Sequence, residues 1–573
     1  MKTKLTGLAL ATMMAIAPSA QAGEVEVLHW WTSGGEAKSV DFLKQQLAGS
    51  GVDWVDFAVA GGGGESAMTV LKSRAISGNS PTAAQIKGPS IQEWGELGFL
   101  SSIDDVATAN NWDEILPEVV SDVMKFEGKY VAAPVNVHRV NWLWANPEVF
   151  RKAGATVPTT WDDFMVQAQK LKDAGYIALA HGGQAWQDAT VFEAVVLGVG
   201  GADYYNKAFV QADMDALDSA TTKEVFETFG KLRQFIDINS PGRDWNLATS
   251  MVIKGEAGMQ IMGDWAKGEF KVAGMNAGTD YVCVAAPGTS GTYTFNVDSF
   301  AFFNQSDAEK TKAQKVMAKE ILSTDFQRVF NLNKGSIPAR LGMARTEFDS
   351  CAHDSMDAFV SSSATGGLVP SFAHGMAVSE AISGAIYDSA TQFFNSDDSA
   401  DQGVAQLVAA VAAAVAVVTA VAAAVAAAVC AAVTAAPAAV TAASAVNLAA
   451  SAVTTAAAAA EAAAAWPAAV TPAAADAPLS SISAIPAVPE KVTSAWATPA
   501  ARTRDVVVRR MRFMFFPRVA IQNKNTKPRN TLVKHYGFSD VRTALGSSDP
   551  PITRHRNANM MHRCHTASVV FSQ

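Results

Sequence analysis

The chain has 573 residues and a formal net charge of -9, long enough for two or three domains with well-buried cores. That charge is divided: after Asp401 fifteen basic residues stand against six acidic ones, leaving the tail near +9 and the body near -18. An acidic body excludes nucleic acid and anionic membrane as partners for that part of the chain.

Lys2 and Lys4 precede an apolar run over residues 5–18, and Ala20-Gln21-Ala22 has the small-x-small form of a cleavage site. Residues 1–22 therefore read as a cleavable signal peptide, with export to a periplasm and a mature start near Gly23. No cysteine follows the run, so no lipid anchor is expected. Of the four cysteines, Cys283 and Cys351 lie in the body and can pair in an oxidising compartment; Cys430 and Cys564 fall in the tail. Their spacing fits no zinc site, and neither a metal nor another cofactor is expected.

Residues 25–29 read as a strand that ends at Trp30 and Trp31, and Ser33-Gly34-Gly35 lets the chain turn so that Glu36 returns toward the same place. Ligands of open α/β sheets sit at the carboxyl ends of strands. A pyranose offers an apolar face and a rim of hydroxyls, so flat aromatics beside a carboxylate suit it. The competing reading makes one of the two indoles core, since neighbours on a regular strand point to opposite faces.

Residues 23–103 alternate short apolar runs with helical periodicity, the pattern of an α/β domain with a largely parallel sheet. Residues 60–65, four of them consecutive glycines, form a loop ahead of a helix over 66–76. No Gly-Lys-Ser/Thr accompanies it, so the loop reads as structural, with bare backbone able to border a ligand. Residues 82–86 read as a strand ending at Lys87, a residue that by itself is equally a solvated surface lysine. Residues 126–130 form a turn, residues 147–154 a short helix closed by Gly154, and residues 158–164 a capped helix start.

The order of these pieces resembles the extracellular solute-binding proteins of carbohydrate ABC importers, the family typified by maltose-binding protein. The pieces are the Gly-Lys-Tyr turn, Trp-Leu-Trp-Ala-Asn-Pro-Glu-Val-Phe-Arg-Lys-Ala-Gly over 142–154 and Pro-Thr-Thr-Trp-Asp-Asp-Phe over 158–164. Residues 251–265, ending in Gly-Asp-Trp, continue the series with Asn-Val-Asp-Ser-Phe over 296–300, residues 321–327 and Asn-Lys-Gly-Ser-Ile-Pro-Ala-Arg over 333–340. The resemblance implies a two-lobed α/β fold with discontinuous lobes: residues 23–133 with about 296–346, and residues 134–295 with about 347–405. It further implies no enzymatic activity and a monomer that captures a monosaccharide in the cleft for an ABC permease. Glucose is the foremost ligand, with mannose and galactose as relatives of it.

Stacking would fall to Trp30, Trp31 and Trp265. Polar contacts would come from Glu36, Lys87, Asp298, Lys334 and His374, with Asp264, Asn296 and His138 as additions. The residue chemistry agrees, since carboxylates accept hydroxyl protons, lysines donate, and a neutral imidazole does both. Read alone, His374 beside Gly375 is a buried or capping histidine; the resemblance makes it a ligand residue. A secreted glycoside hydrolase is the alternative, since it also needs indoles and paired carboxylates.

After Gln402 the composition becomes Ala-rich and then basic. Residues 412–573 read as a translated shifted frame, because the resemblance ends near residue 411, or as a helical or disordered low-complexity extension. The uncharged run over 407–436 also has the length of a membrane anchor, which would tether the same receptor.

Overall fold

A computed structural model describes residues 23–435; the expected signal peptide and residues 436–573 lie outside the described residues. The chain divides into two units, residues 1–416 and 417–573, and the first holds two larger sheets, of five and four strands, with smaller three-stranded and two-stranded ones.

The first sheet has five strands in the order Val52–Ala58, Gly23–His29, Ala83–Gln85, Ser299–Phe302, Ala132–Pro134. Its first three strands are parallel, and Ser299–Phe302 runs antiparallel between its neighbours. Val25 and Val27 are buried while Glu24 and Glu26 face outward, the alternation of a strand covered on one side. Its core also takes residues from 293–339, so this lobe is assembled from separated stretches of chain.

The second sheet orders Val282–Ala285, Trp142–Ala145, Ala257–Ile261 and Ile177–Leu179. Trp142–Ala145 is buried along its whole length. Helix Ala185–Tyr205 is buried without a break from Trp186 to Leu197, so it runs through the middle of this lobe. Cys283 and Cys351 form a disulfide that ties an edge strand to helix Ser350–Thr365.

Between the sheets lies a three-stranded ribbon, Leu368–Pro370, Tyr293–Asn296 and His138–Arg139. Chain passes between the lobes here, and the ribbon places His138 and Asn296 at the junction. The local readings around it hold. Thr160 accepts the Asp163 N–H at the start of helix Trp161–Asp173, and Gly154 closes Pro147–Ala153 with φ 61°.

Of the readings open for the Ala-rich stretch, residues 412–435 take the helical one and continue helix Ala400–Ala435, as alanine's helix propensity favours. Among the described residues Ala400–Val421 is apolar and long enough to cross a membrane. Its Val404, Leu407 and Val411 are nonetheless buried in the second lobe's core.

Candidate functional site

Thirteen residues line one cavity, and all eight residues singled out from the sequence are among them: Trp30, Trp31, Glu36, Lys87, Trp265, Asp298, Lys334 and His374. Of the additions, His138 and Asn296 line it too, whereas Asp264 stands behind His138 and bonds its Nδ1. Gly62, Trp186 and Trp245 complete the wall and were not among the sequence candidates.

Trp30 and Trp31 both face the cavity region and both are buried, at 7% and 3% exposure. The strand rule of opposite faces does not apply, because the strand stops at His29 and the two indoles sit on the irregular backbone beyond it. Gln85, at the end of the neighbouring strand, accepts the Trp30 N–H at 3.4 Å and donates to Asp298 Oδ1 at 3.3 Å. Trp31 is wedged edge-on against Phe300, with Phe330 on another side.

Glu36 lies in the first turn of helix Gly34–Gly49, accepting the Ser33 N–H at 3.3 Å and Lys334 Nζ at 2.7 Å. Lys334 is the last residue of helix Thr324–Lys334, which Gly335 closes at φ 94°. Its ammonium stands 5.8 Å from the Trp31 ring and 6.0 Å from that of Trp265, and Lys87 stands 5.2 Å from Trp30. Lys87 is half-buried rather than a solvated surface residue, and burial lowers its pKa, with Asp298 and Glu65 opposing that.

His138 sits between two carboxylates, its Nε2 2.9 Å from Asp298 Oδ2 and its Nδ1 bonded to Asp264. Burial opposes a charged ring, but the two aspartates outweigh it and the pKa is raised. Burial would likewise raise Asp298, yet His138, Lys87 and Lys334 hold its carboxyl well below the usual range. Three cations, Lys87, Lys334 and His138, thus face the carboxylates of Glu36, Asp298 and Asp264, and Glu65 also acts on Lys87.

The second lobe contributes Trp265, 4.8 Å from the His374 ring and 5.2 Å from that of His138, with Trp186 6.0 Å from His374. Thr190 Oγ1 donates to the Trp186 carbonyl at 2.7 Å, so at 3.2 Å it accepts from His374 Nε2–H, which leaves Nδ1 as an acceptor. Burial, with Lys87 and His138 nearby, holds His374 well below its ordinary pKa, hence neutral. His374 is therefore both the buried histidine of the plain reading and a cavity residue.

One polar atom stands out: Asn296 Oδ1 is buried, belongs to a cavity residue and has no hydrogen-bond partner among the described residues. Such an atom costs about 1–3 kcal/mol unless something donates to it.

Trp186 and Trp245 stand in the first turns of helices Ala185–Tyr205 and Trp245–Ile253, after His-Gly-Gly-Gln and Ser-Pro-Gly-Arg-Asp. The two loops bond to each other through Gly183 N–H and the Ser240 carbonyl at 2.7 Å. An indole leaving a glycine-bearing loop is the same signal that marked Trp30, and it could have flagged both.

Residues 42–321 match the profile of the bacterial extracellular solute-binding proteins. A probable sugar-binding periplasmic protein of Rhizobium meliloti (strain 1021) is 48% identical over 398 residues, covering 69% of this chain and 96% of that protein. A probable sugar-binding periplasmic protein of Brucella melitensis biotype 1 is 48% identical over 390 residues, 68% of this chain and 92% of its own. Among solved structures, the bacterial solute receptor AcbH, described as preferring β-D-galactopyranose, superposes with a TM-score of 0.59 at 16% identity, covering 67% of this chain and 97% of the receptor. A chitin oligosaccharide binding protein gives 0.59 at 16% identity, with 69% and 99% covered. The last two share the two-lobed fold. By its match to that profile and its identity with these relatives over nearly their whole length, the chain belongs to the bacterial extracellular solute-binding protein family.

Proposed function

We propose that this protein is a periplasmic receptor that captures one neutral monosaccharide, foremost D-glucose, between its lobes and presents it to an ABC permease. Residues 1–22 would direct export, and residues 23–133 with about 296–346 would form one lobe of a monomer, residues 134–295 with about 347–405 the other. Trp30, Trp31 and Trp265 would stack on the sugar faces, with Glu36, Lys87, Asp298, Lys334 and His374 at its hydroxyls and Trp186 and Asn296 beside them.

The observation that carries this reading is Asn296 Oδ1, a buried acceptor awaiting a donor in a cavity walled by five indoles. A sugar hydroxyl is such a donor, and the indoles supply the apolar faces. The cations of the site are already faced by carboxylates of the protein, which favours an uncharged sugar over a sugar acid. The relatives of Rhizobium and Brucella carry names of sugar-binding periplasmic proteins, and the disulfide suits an oxidising compartment.

The hydrolase reading is less well served. Both cavity carboxylates are already engaged, Glu36 by Lys334 and Asp298 by His138, and Asp298 is held ionised, the reverse of a general acid.

The test is calorimetric titration of D-glucose, mannose, galactose and maltose into protein unfolded and refolded to strip bound sugar. One-to-one binding of a monosaccharide at micromolar affinity or tighter, with no product formed, is expected. Silence for all four would withdraw the ligand assignment.

A further inference from the structure

The five indoles of the cavity are each no more than 7% exposed, so a pyranose cannot pass them while the two lobes stand as they do. Entry requires the lobes to part, and parting breaks the bonds that cross the cleft away from the connecting ribbon.

On one side of the cavity the lobes meet through bare backbone. A Cβ on Gly35 would lie 3.1 Å from Gly268 Cα, and one on Gly268 would lie 2.7 Å from the Asn333 carbonyl oxygen. Gly268 belongs to helix Ala266–Val272, whose Ala266 and Phe270 are buried with Trp142 and Trp144 in the second lobe. The next residue, Glu269, reaches the other way and accepts the Gly35 N–H at 2.9 Å.

That N–H lies in the first turn of helix Gly34–Gly49. The first four N–H groups of a helix have no partner inside it, so a carboxylate from the opposite lobe satisfies one and meets the positive end of the helix dipole. Glu36 follows Gly35 directly, and Trp265 precedes Glu269 on the same short stretch.

We propose that Glu269 is a closing latch: a second-lobe carboxylate that caps the first lobe's helix only when the lobes meet, and so supplies part of the affinity for whatever the cavity holds. It is a positioning residue, since it acts through Gly35 and the closed state. The contribution to sugar affinity rests on the monosaccharide reading above; the contribution to closure does not.

The test measures hydrogen–deuterium exchange and D-glucose titration on the intact chain, as wild type, Glu269→Ala and Glu269→Gln. In wild type the Gly35 amide is expected to be protected. In Glu269→Ala exchange should rise there and also across the cavity, at residues 88–91 and 374–380, where Ser90 meets Glu380. Glucose affinity should fall about tenfold through faster release, at the low end for a bond to a charged acceptor. Glu269→Gln keeps an acceptor and should recover part of both. Unchanged exchange across the cavity, whatever happens at Gly35, would reduce Glu269 to a local cap and overturn the latch. If wild type binds no glucose, the sugar reading fails, while exchange across the cavity still decides the latch.

Discussion

His138 Nε2 stands 2.9 Å from Asp298 Oδ2, and the same ring bonds Asp264 through Nδ1, so one imidazolium holds two buried carboxylates at the junction of the lobes. Breaking a buried pair leaves uncompensated charge, so His138→Gln should cost on the order of 3–5 kcal/mol. The sign with pH follows from the two shifts. His138 is raised, so its contribution is complete below 6.5 and is lost as pH climbs through the folded value. Asp298 is lowered, so its contribution is complete above 3.8 and is lost as pH falls through the folded value. The stability difference between wild type and variant, from urea unfolding at several pH values, should be greatest between 3.8 and 6.5. A difference independent of pH would mean that the pair is not ionic.

Asn296→Ala separates binding from folding. Because Asn296 Oδ1 has no partner among the described residues, its removal should leave stability unchanged or raise it by about 1 kcal/mol. Sugar affinity should nevertheless fall about tenfold, since the ligand hydroxyl loses its acceptor. Parallel melting and titration check this; lower stability with intact affinity would assign Asn296 a purely structural role.

Trp186→Ala tests a residue that the sequence candidates lacked. Its ring packs beside Trp265 and His374, at 6.4 and 6.0 Å, on the second-lobe wall of the cavity. Losing one indole face should weaken sugar binding tenfold or more, with the far-ultraviolet spectrum preserved. Affinity within a factor of two of wild type would remove Trp186 from the site.

The pattern of what could be read in advance follows from the reach of each signal. Trp30, Trp31 and Glu36 were legible because a strand, a glycine turn and a helix start lie within nine residues, so local geometry gathers them. Lys87, Asp298, Lys334 and His374 are brought together only by tertiary structure, through strand pairings such as Phe300 with Gln85, and alone Lys87 and His374 each had a bland alternative. The family resemblance, not spacing, singled them out. Trp186 and Trp245 lie in none of its motifs. The helix through residue 435 stood beside disorder as an open reading because Ala-rich text is low in complexity, whereas helix propensity acts wherever alanines run together.

Glu193 gives a second pH signature. It faces the loop that carries His374, accepting the Ala373 N–H at 3.0 Å and lying 2.7 Å from the Tyr205 hydroxyl, while Ser371 Oγ donates to it at 2.8 Å. Tyr205 also reaches the Pro370 carbonyl at 2.8 Å, and one hydroxyl proton cannot serve both oxygens. A protonated Glu193 donating to Tyr205 resolves this. Burial agrees, pushing its pKa up to about 7 against the hydrogen bonds that lower it. A raised acid contributes stability in full below its unfolded value of 4.5, and that stability is lost as pH rises toward 7. Wild type should therefore lose on the order of 3 kcal/mol relative to Glu193→Gln between pH 4.5 and 8. Parallel pH profiles for the two proteins would refute the assignment.

Gly62→Ala probes the contact between the lobes at the cavity mouth. A Cβ there would lie 2.7 Å from Trp186 Cζ2, so the first-lobe loop could not seat against the second-lobe indole. Gly62 is not among the positive-φ glycines, so alanine adds no backbone strain. Each lobe should fold as before, with stability within about 0.5 kcal/mol of wild type, while sugar affinity falls about tenfold. In a Trp186→Ala background the obstruction is gone, and the same substitution should cost almost nothing more. A double-mutant cycle by titration reads this coupling directly. Additive effects would show that Gly62 weakens binding by some route other than meeting Trp186, and that the loop does not need to close onto it.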